Sequence, residues 1–291
     1  MEARMINFRY ALLFAALVAT PAWSEEIECT NVDKNGANVP GAFYVGDYKG
    51  ADNLLTSDIF HKDFYCAEQF IKKRDYTRRF LTIFGSSSIK ELNDASKYNS
   101  TSNNNIYKQT YEFAMAWSKA HPEYPILTGA GPGLMEAAAR GAISGSGVSI
   151  GYTTYYKDAA NNSDASIAYW KPLDGVDKGK QIISDGLIFS SVSARETLMI
   201  LHSAAAIFAP GGSGTNWEIF QTLEMLKSNQ LSDIPVYMLG DSVHWAAYES
   251  YINDMVARGT IKESERENFI RFVKTPDELK ALLENNKRLF P

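Results

Sequence analysis

The segment with the clearest chemical meaning is Pro210-Gly-Gly-Ser-Gly-Thr215, which is followed closely by Glu218. Glycines let the backbone turn sharply and approach a ligand, and the unpaired amides that open a following helix attract an anion. We therefore expect this segment to bind a phosphate group. Glu218 has two interpretations, because it either faces that ligand or completes a capping box with Thr215.

Two other glycine-rich turns follow apolar runs, at Gly85-Ser-Ser-Ser88 and at Gly129-Ala-Gly-Pro-Gly133. Ligands of open parallel sheets bind at the carboxyl ends of the strands, so all three turns are candidates for one site. Each turn could also be only a tight connection between a strand and a helix. The second turn departs from the dinucleotide fingerprint, because Leu134 stands where that pattern needs its third glycine, and this argues against a nicotinamide enzyme.

A charged pair stands at the start of another predicted helix, Ser193 to His202. Arg195 lies in its first turn, where the helix dipole disfavours a cation, so the sequence predicts an anionic partner for it. Glu196 has the spacing of a capping partner for Ser193. A surface arginine without such a partner is the alternative.

Composition limits the classes of ligand. The chain has 291 residues, with 29 basic and 34 acidic side chains and a net charge of −5. A mildly acidic protein does not attract nucleic acid polymers or anionic membranes over its whole surface, so any phosphate must be held by a local site.

The N-terminus has the pattern of a secretory signal. Arg4 and Arg9 precede a short apolar run, and small residues follow at Ala22 and Ser24. We expect residues 1–24 to be removed after Ser24, giving a periplasmic or secreted protein with no stable membrane anchor. An uncleaved anchor is the alternative, although the run is shorter than the roughly 20 residues of a spanning helix.

Both cysteines, Cys29 and Cys66, lie beyond that signal. An oxidising compartment favours a disulfide between them, and two unpaired thiols are the alternative. Two cysteines without a histidine cluster do not suit a zinc site, and we predict no metal.

The remaining chain separates into two parts. Residues 25–74 form an irregular N-terminal extension, with a helix near 63–73. From residue 75 to 291, apolar runs typical of buried strands alternate with helical segments. This alternation predicts an α/β fold, a Rossmann-like three-layer sandwich with a mostly parallel sheet.

Three segments, in this order, resemble the LONELY GUY family, whose members were often labelled lysine decarboxylase-like: Leu127–Gly141, Arg195-Glu196 and Pro210–Glu218. Gly85-Ser86-Ser87 matches the GSS that ends the family's first strand. The resemblance covers about residues 79–240, and its most specific part is the match of Pro210–Glu218 to PGGxGTxxE. The chain departs from the family where Glu196 replaces a lysine and Ala130 replaces a glycine.

The resemblance implies a phosphoribohydrolase that cleaves a nucleoside 5′-monophosphate into free base and ribose 5-phosphate, without a cofactor, and that is usually a dimer. Arg195 and Glu218 would be the catalytic pair. The implied substrate- and phosphate-binding residues are Gly85, Ser86, Gly129, Gly131, Gly133, Glu136, Gly211, Gly212, Gly214 and Thr215.

The alternative function is a noncatalytic nucleotide-binding or signalling module of the same fold, and Glu196 is its main support. A decarboxylase is disfavoured, because the sequence has no recognisable pyridoxal phosphate lysine motif. The polar segment 155–179 could close over the site or only solvate one edge of the protein.

Overall fold

The structure is a computed structural model that describes residues 27–33, 36–47, 56–76, 78–91, 105–155, 181–240 and 242–291. The expected signal segment 1–24 and, apart from Tyr155, the polar segment 155–179 lie outside these residues.

The described residues form eight strands and eight helices. The strands are β1 (Ala42–Val45), β2 (Phe80–Phe84), β3 (Ile126–Thr128), β4 (Ser149–Thr154), β5 (Asp185–Phe189), β6 (Ser203–Phe208), β7 (Val236–Leu239) and β8 (Phe272–Val273). The helices are α1 (Ser57–Lys73), α2 (Ile106–Ala120), α3 (Leu134–Ser144), α4 (Val192–Leu201), α5 (Ser213–Lys227), α6 (Ser242–Ala257), α7 (Glu263–Phe269) and α8 (Pro276–Glu284).

The strands form one sheet in the order β1-β5-β4-β3-β2-β6-β7-β8. Every neighbouring pair in it is parallel. Helices cover both faces, so the central strands are buried on both sides and consist of apolar runs. The predicted Rossmann-like α/β sandwich is confirmed.

Each face of the sheet has its own core. On one face, α1, α4, α5 and α6 contribute Phe70, Leu198, Ile219 and Trp245. On the other face, α2, α3 and α8 contribute Trp117, Leu134 and Leu279.

The N-terminal extension is more regular than expected. It supplies the edge strand β1, which pairs with β5, and the 17-residue helix α1, which begins at Ser57 rather than near residue 63. Thr56 caps α1 by accepting a hydrogen bond from the Ile59 amide at 3.4 Å. The sequence pattern missed β1 because four residues beside a glycine are too short to show a period.

Two further elements were not predicted. Strand β8 has two residues, and α7 has no buried residue and therefore no apolar face that a sequence pattern could reveal. No helix within the described ranges is both long and apolar enough to cross a bilayer.

Cys29 and Cys66 form a disulfide, with Cα atoms 5.6 Å apart and a sequence separation of 37. Cys66 is fully buried on α1. The bond therefore ties the first described residues to the helix that packs beneath α4.

We predict that the double variant Cys29→Ser/Cys66→Ser is less stable by about 4 kcal/mol, from the loop-closure entropy of a loop of this length. Equilibrium unfolding in guanidinium chloride measures the change. The wild-type protein unfolded in the presence of a reductant is the control and should coincide with the variant. Equal midpoints for the oxidised wild type and the variant would contradict the prediction.

Candidate functional site

The site lies where the order in which the chain adds strands to the sheet switches from one side of β2 to the other. From β2 the chain builds outward through β3, β4 and β5, and it then returns to place β6 on the other side of β2. A crevice forms at the carboxyl ends of two such strands. Beneath it the rings of Phe84 and Phe208 stack, with centroids 4.9 Å apart.

The first glycine-rich loop joins the other two. The Ser86 amide donates to the Pro210 carbonyl at 3.2 Å, and the Ser86 carbonyl accepts from the Leu134 amide at 3.0 Å. A Cβ atom on Gly85 would lie 2.9 Å from the Leu134 Cβ. In this structure Gly85 and Ser86 hold the three loops together.

The glycines of the second loop allow close packing. Gly133 has a φ of +71°, and a Cβ atom there would lie 2.4 Å from the Ser86 carbonyl oxygen. A Cβ atom on Gly129 would lie 2.5 Å from Nη1 of Arg195, and one on Gly131 would lie 2.7 Å from the Met135 Cε. Gly129 therefore makes room for the Arg195 guanidinium.

Glu136, which the resemblance places at the substrate, forms an ion pair with Arg140 one turn later, at 2.8 Å between Oε1 and Nη2. Both side chains are partly exposed. Glu136 lies in the first turn of α3, where the helix dipole favours a carboxylate.

The third loop opens α5 with free backbone groups. The helix begins at Ser213, its N-cap is Gly212, and no side chain of the described residues caps it. Gly212, Ser213 and Gly214 are exposed, and a Cβ atom on either glycine would meet no atom of the described ranges within 4 Å. This open amino end is suited to an anion.

The capping box considered for Thr215 and Glu218 is wrong. Because α5 begins at Ser213, Thr215 already lies inside the helix, where its buried side chain packs against Gly211. Glu218 belongs to the second turn and lies in the protein interior.

The cap expected at Ser193 is also wrong. Ser191 is the N-cap of α4, and its hydroxyl accepts from the amides of Ser193 and Ala194 at 3.2 and 3.4 Å. Glu196 therefore does not cap α4. Its side chain turns inward and pairs with Arg195.

Arg195, Glu196 and Glu218 form a buried charged cluster, with relative exposures of 4%, 2% and 7%. Nη2 of Arg195 donates to Oε1 of Glu196 and, at 3.4 Å, to Oε1 of Glu218. Nη1 donates to the Tyr152 carbonyl at 3.4 Å. The anionic partner expected for Arg195 is thus provided by two carboxyl groups.

Two carboxyl groups share one guanidinium, so one of them favours its protonated form. Burial raises the pKa of Glu218 well above its ordinary value, the neighbouring Glu196 carboxyl raises it further, and Arg195 opposes the shift. Oε2 of Glu196 is buried and has no hydrogen-bond partner among the described residues. The cluster therefore favours a proton on Glu218.

The cluster and the open end of α5 are close. Glu218 follows Ser213 by five residues, which is about 7.5 Å along a helix axis. If a ligand binds its anionic group at the amino end of α5, the neighbouring atoms of that ligand would thus lie close to Glu218 and Arg195.

A cavity of about 490 Å³ adjoins the other side of this loop. Its lining is largely aromatic and comprises Pro210, Gly211, Asn216, Phe220, His244, Trp245, Ala247, Tyr248 and Tyr251. Pro210 and Gly211 belong to the third loop, which was a predicted phosphate site. The sequence patterns did not point to the aromatic residues of this lining, although Trp245, Tyr248 and Tyr251 recur at helical spacing. In the described part of the chain, no cluster of His, Cys, Asp and Glu could hold a metal ion.

The comparisons with known proteins concern the family and the fold. A family model described as "Possible lysine decarboxylase" matches residues 135–283, just over half of the 291 residues. No curated protein matches the chain.

Solved structures of similar fold include two molybdenum cofactor proteins. The molybdenum cofactor binding protein of the phototrophic bacterium Rippkaea orientalis is 18% identical with a TM-score of 0.45, over 71% of this chain and 96% of that one. The molybdenum cofactor carrier protein of Chlamydomonas reinhardtii is 18% identical with a TM-score of 0.44, over 72% of this chain and 99% of that one.

We predict opposite effects of alanine at two loop glycines. Gly129→Ala should destabilise the protein by about 1–3 kcal/mol, because the new methyl group meets Arg195. Gly214→Ala, in open space and without a positive φ, should stabilise it by about 0.4–1 kcal/mol. Thermal unfolding of both variants tests this, and equal shifts would show that Gly129 does not constrain Arg195.

We also predict a pH-dependent contribution from Glu218. Its raised pKa means that the folded protein keeps a proton that the unfolded chain releases, so stability is lost as pH rises from the ordinary carboxyl pKa toward the raised one. As the pH rises above the ordinary carboxyl range of about 4.5, the wild type should therefore lose stability relative to Glu218→Gln. Denaturant midpoints measured as the pH rises, with the exposed Glu224→Gln as control, test the sign. Parallel curves would contradict it.

Proposed function

We propose that this chain, which belongs to the family described as possible lysine decarboxylases, hydrolyses the N-glycosidic bond of nucleoside 5′-monophosphates to release free base and ribose 5-phosphate. The family is the one that the LONELY GUY resemblance indicated. The observation that carries the proposal is the burial of Glu218 beside Arg195, which raises the pKa of Glu218, just inside a helix whose open amino end is suited to a phosphate.

The substrate phosphate would bind at the amino end of α5. Its exposed first turn carries backbone amides that no side chain caps, and the helix dipole favours negative charge there. Gly212 and Gly214 leave space above the backbone, so a phosphate oxygen can approach the amides directly.

The buried cluster would supply the chemistry. As the bond between C1′ and the base nitrogen breaks, Glu218 donates its proton to the leaving base, while positive charge develops on the ribose. A water molecule adds its oxygen to C1′, and its released proton restores the Glu196–Glu218 pair. While Glu218 is without its proton, the negative charge of the carboxylates stabilises the oxocarbenium-like transition state.

Glu196 replaces the lysine that the family has at this position, and it changes what Glu218 does. A carboxyl group beside Glu218 raises the pKa of Glu218, whereas a lysine ammonium would lower it. This chain is therefore suited to using Glu218 as an acid.

One observation favours the noncatalytic alternative. The Arg195 guanidinium already contacts two buried carboxyl groups of the protein, so it is engaged before any ligand binds. A nucleotide-binding module would need only the open end of α5.

We predict that the protein without residues 1–24 releases free base from at least one nucleoside 5′-monophosphate, and that Glu218→Gln lowers kcat/KM about 100- to 10,000-fold by removing the acid. Chromatography of a nucleotide panel measures the base. Glu224→Gln is the matched control, because Glu224 lies on the same helix with a 70% exposed side chain.

Three outcomes separate the two functions. Base release that depends on Glu218 supports hydrolysis. Calorimetric binding of a nucleotide without base release supports the binding module. Base release that is equal in the wild type and Glu218→Gln would remove Glu218 from the mechanism.

A further inference from the structure

Asp63, a fully buried carboxyl group, lies outside the site described above. It belongs to α1 of the N-terminal extension and accepts four hydrogen bonds. The donors are the Tyr44 hydroxyl at 2.9 Å, the Ser190 amide and hydroxyl at 3.1 Å each, and the Ser191 amide at 3.2 Å.

Burying a carboxyl group is unfavourable unless hydrogen bonds compensate the loss of water. Burial raises the pKa of Asp63, and the bonds from Ser190, Tyr44 and Ser191 oppose that rise. The bonds span 127 and 128 residues of sequence to reach one short turn, between β5 and α4. The carboxyl group of Asp63 therefore binds that turn specifically.

The turn determines where Arg195 lies. Ser191 is the N-cap of α4, and its carbonyl accepts from the Arg195 amide at 3.1 Å. Asp63 therefore fixes the position of Ser191. Ser191 in turn fixes the first turn of α4, which carries Arg195 and Glu196. The hydrogen bond from Arg195 to Glu218 is already long, at 3.4 Å. A small shift of this turn would therefore break it.

The extension itself is anchored at the same place. Cys66 follows Asp63 by three residues, on the same face of α1, and its disulfide to Cys29 fixes this face. Tyr44 contributes its hydroxyl from β1, which pairs with β5. Both elements of the extension thus converge on Asp63.

We propose that Asp63 is a positioning residue for Arg195 and Glu196, so that the N-terminal extension completes the functional site of the sheet domain. The effect that we expect on kcat rests on the proposed function. A purely structural Asp63 would contribute to stability and leave the behaviour of the folded site unchanged.

The main test is Asp63→Asn, in which an amide group replaces one acceptor oxygen and faces backbone and hydroxyl donors. We expect kcat for base release to fall about 10- to 100-fold, as for a misplaced catalytic group. Binding of inorganic phosphate at α5 should stay unchanged, since Asp63 does not contact that loop. Glu68→Gln, an exposed change on the same helix, is the matched control and should leave both values unchanged.

Hydrogen exchange tests positioning without relying on catalysis. In Asp63→Asn the amides of the first turns of α4 should exchange faster, while those of α5 should not. Tyr44→Phe removes one donor and keeps the other three, so it should give smaller changes of the same kind. It provides the test if Asp63→Asn does not fold.

The outcomes are distinct. A folded Asp63→Asn variant with wild-type kcat and wild-type exchange in α4 would overturn the proposal, as would wild-type values in Tyr44→Phe if that is the only variant that folds. If the wild-type protein releases no base from any nucleotide, the proposed function fails, and exchange in α4 alone decides the role of Asp63.

Discussion

The functional site depends on burying one guanidinium between two carboxyl groups. Charges are costly to remove from water, and a buried ion pair is retained only where its geometry and additional hydrogen bonds are good. Arg195 meets this condition through contacts from three directions: Glu196 on its own helix, Glu218 on α5 and the Tyr152 carbonyl on β4. The positions of these elements are therefore coupled through one side chain.

The same constraint explains features that otherwise look unrelated. Gly129 must lack a side chain because Nη1 of Arg195 occupies the space that a Cβ atom would need. Glu218 favours its protonated form because the guanidinium cannot neutralise two carboxylates at once. The turn before α4 is held by a buried carboxyl group because a looser turn would move the guanidinium.

Sequence patterns could predict the fold and the three loops, because these depend on local properties. Apolar runs such as Ala204–Phe208 identify buried strands, and glycines after them identify sharp turns. Patterns could not predict the direction of Glu196 and Glu218. Both have the spacing of capping partners, but α4 begins two residues and α5 three residues earlier than those caps require, and tertiary contacts with Arg195 turn the side chains inward. Asp63 gave no signal, because its partners Ser190 and Ser191 are 127 and 128 residues away.

The arrangement on α5 also couples an anion bound at the start of the helix to Glu218 in its second turn. The helix dipole, which is worth about 0.3–1 kcal/mol near a helix start, would favour an ionised Glu218, yet burial and Glu196 outweigh it. A phosphate bound about 7.5 Å away along the axis would add negative charge at the same end. At an effective dielectric constant of about 20, each unit of charge at this distance contributes roughly 2 kcal/mol. Anion binding and protonation of Glu218 therefore reinforce each other, because each stabilises the state that the other needs. Occupation of the loop by a phosphate thus favours the protonation state in which Glu218 can act as an acid.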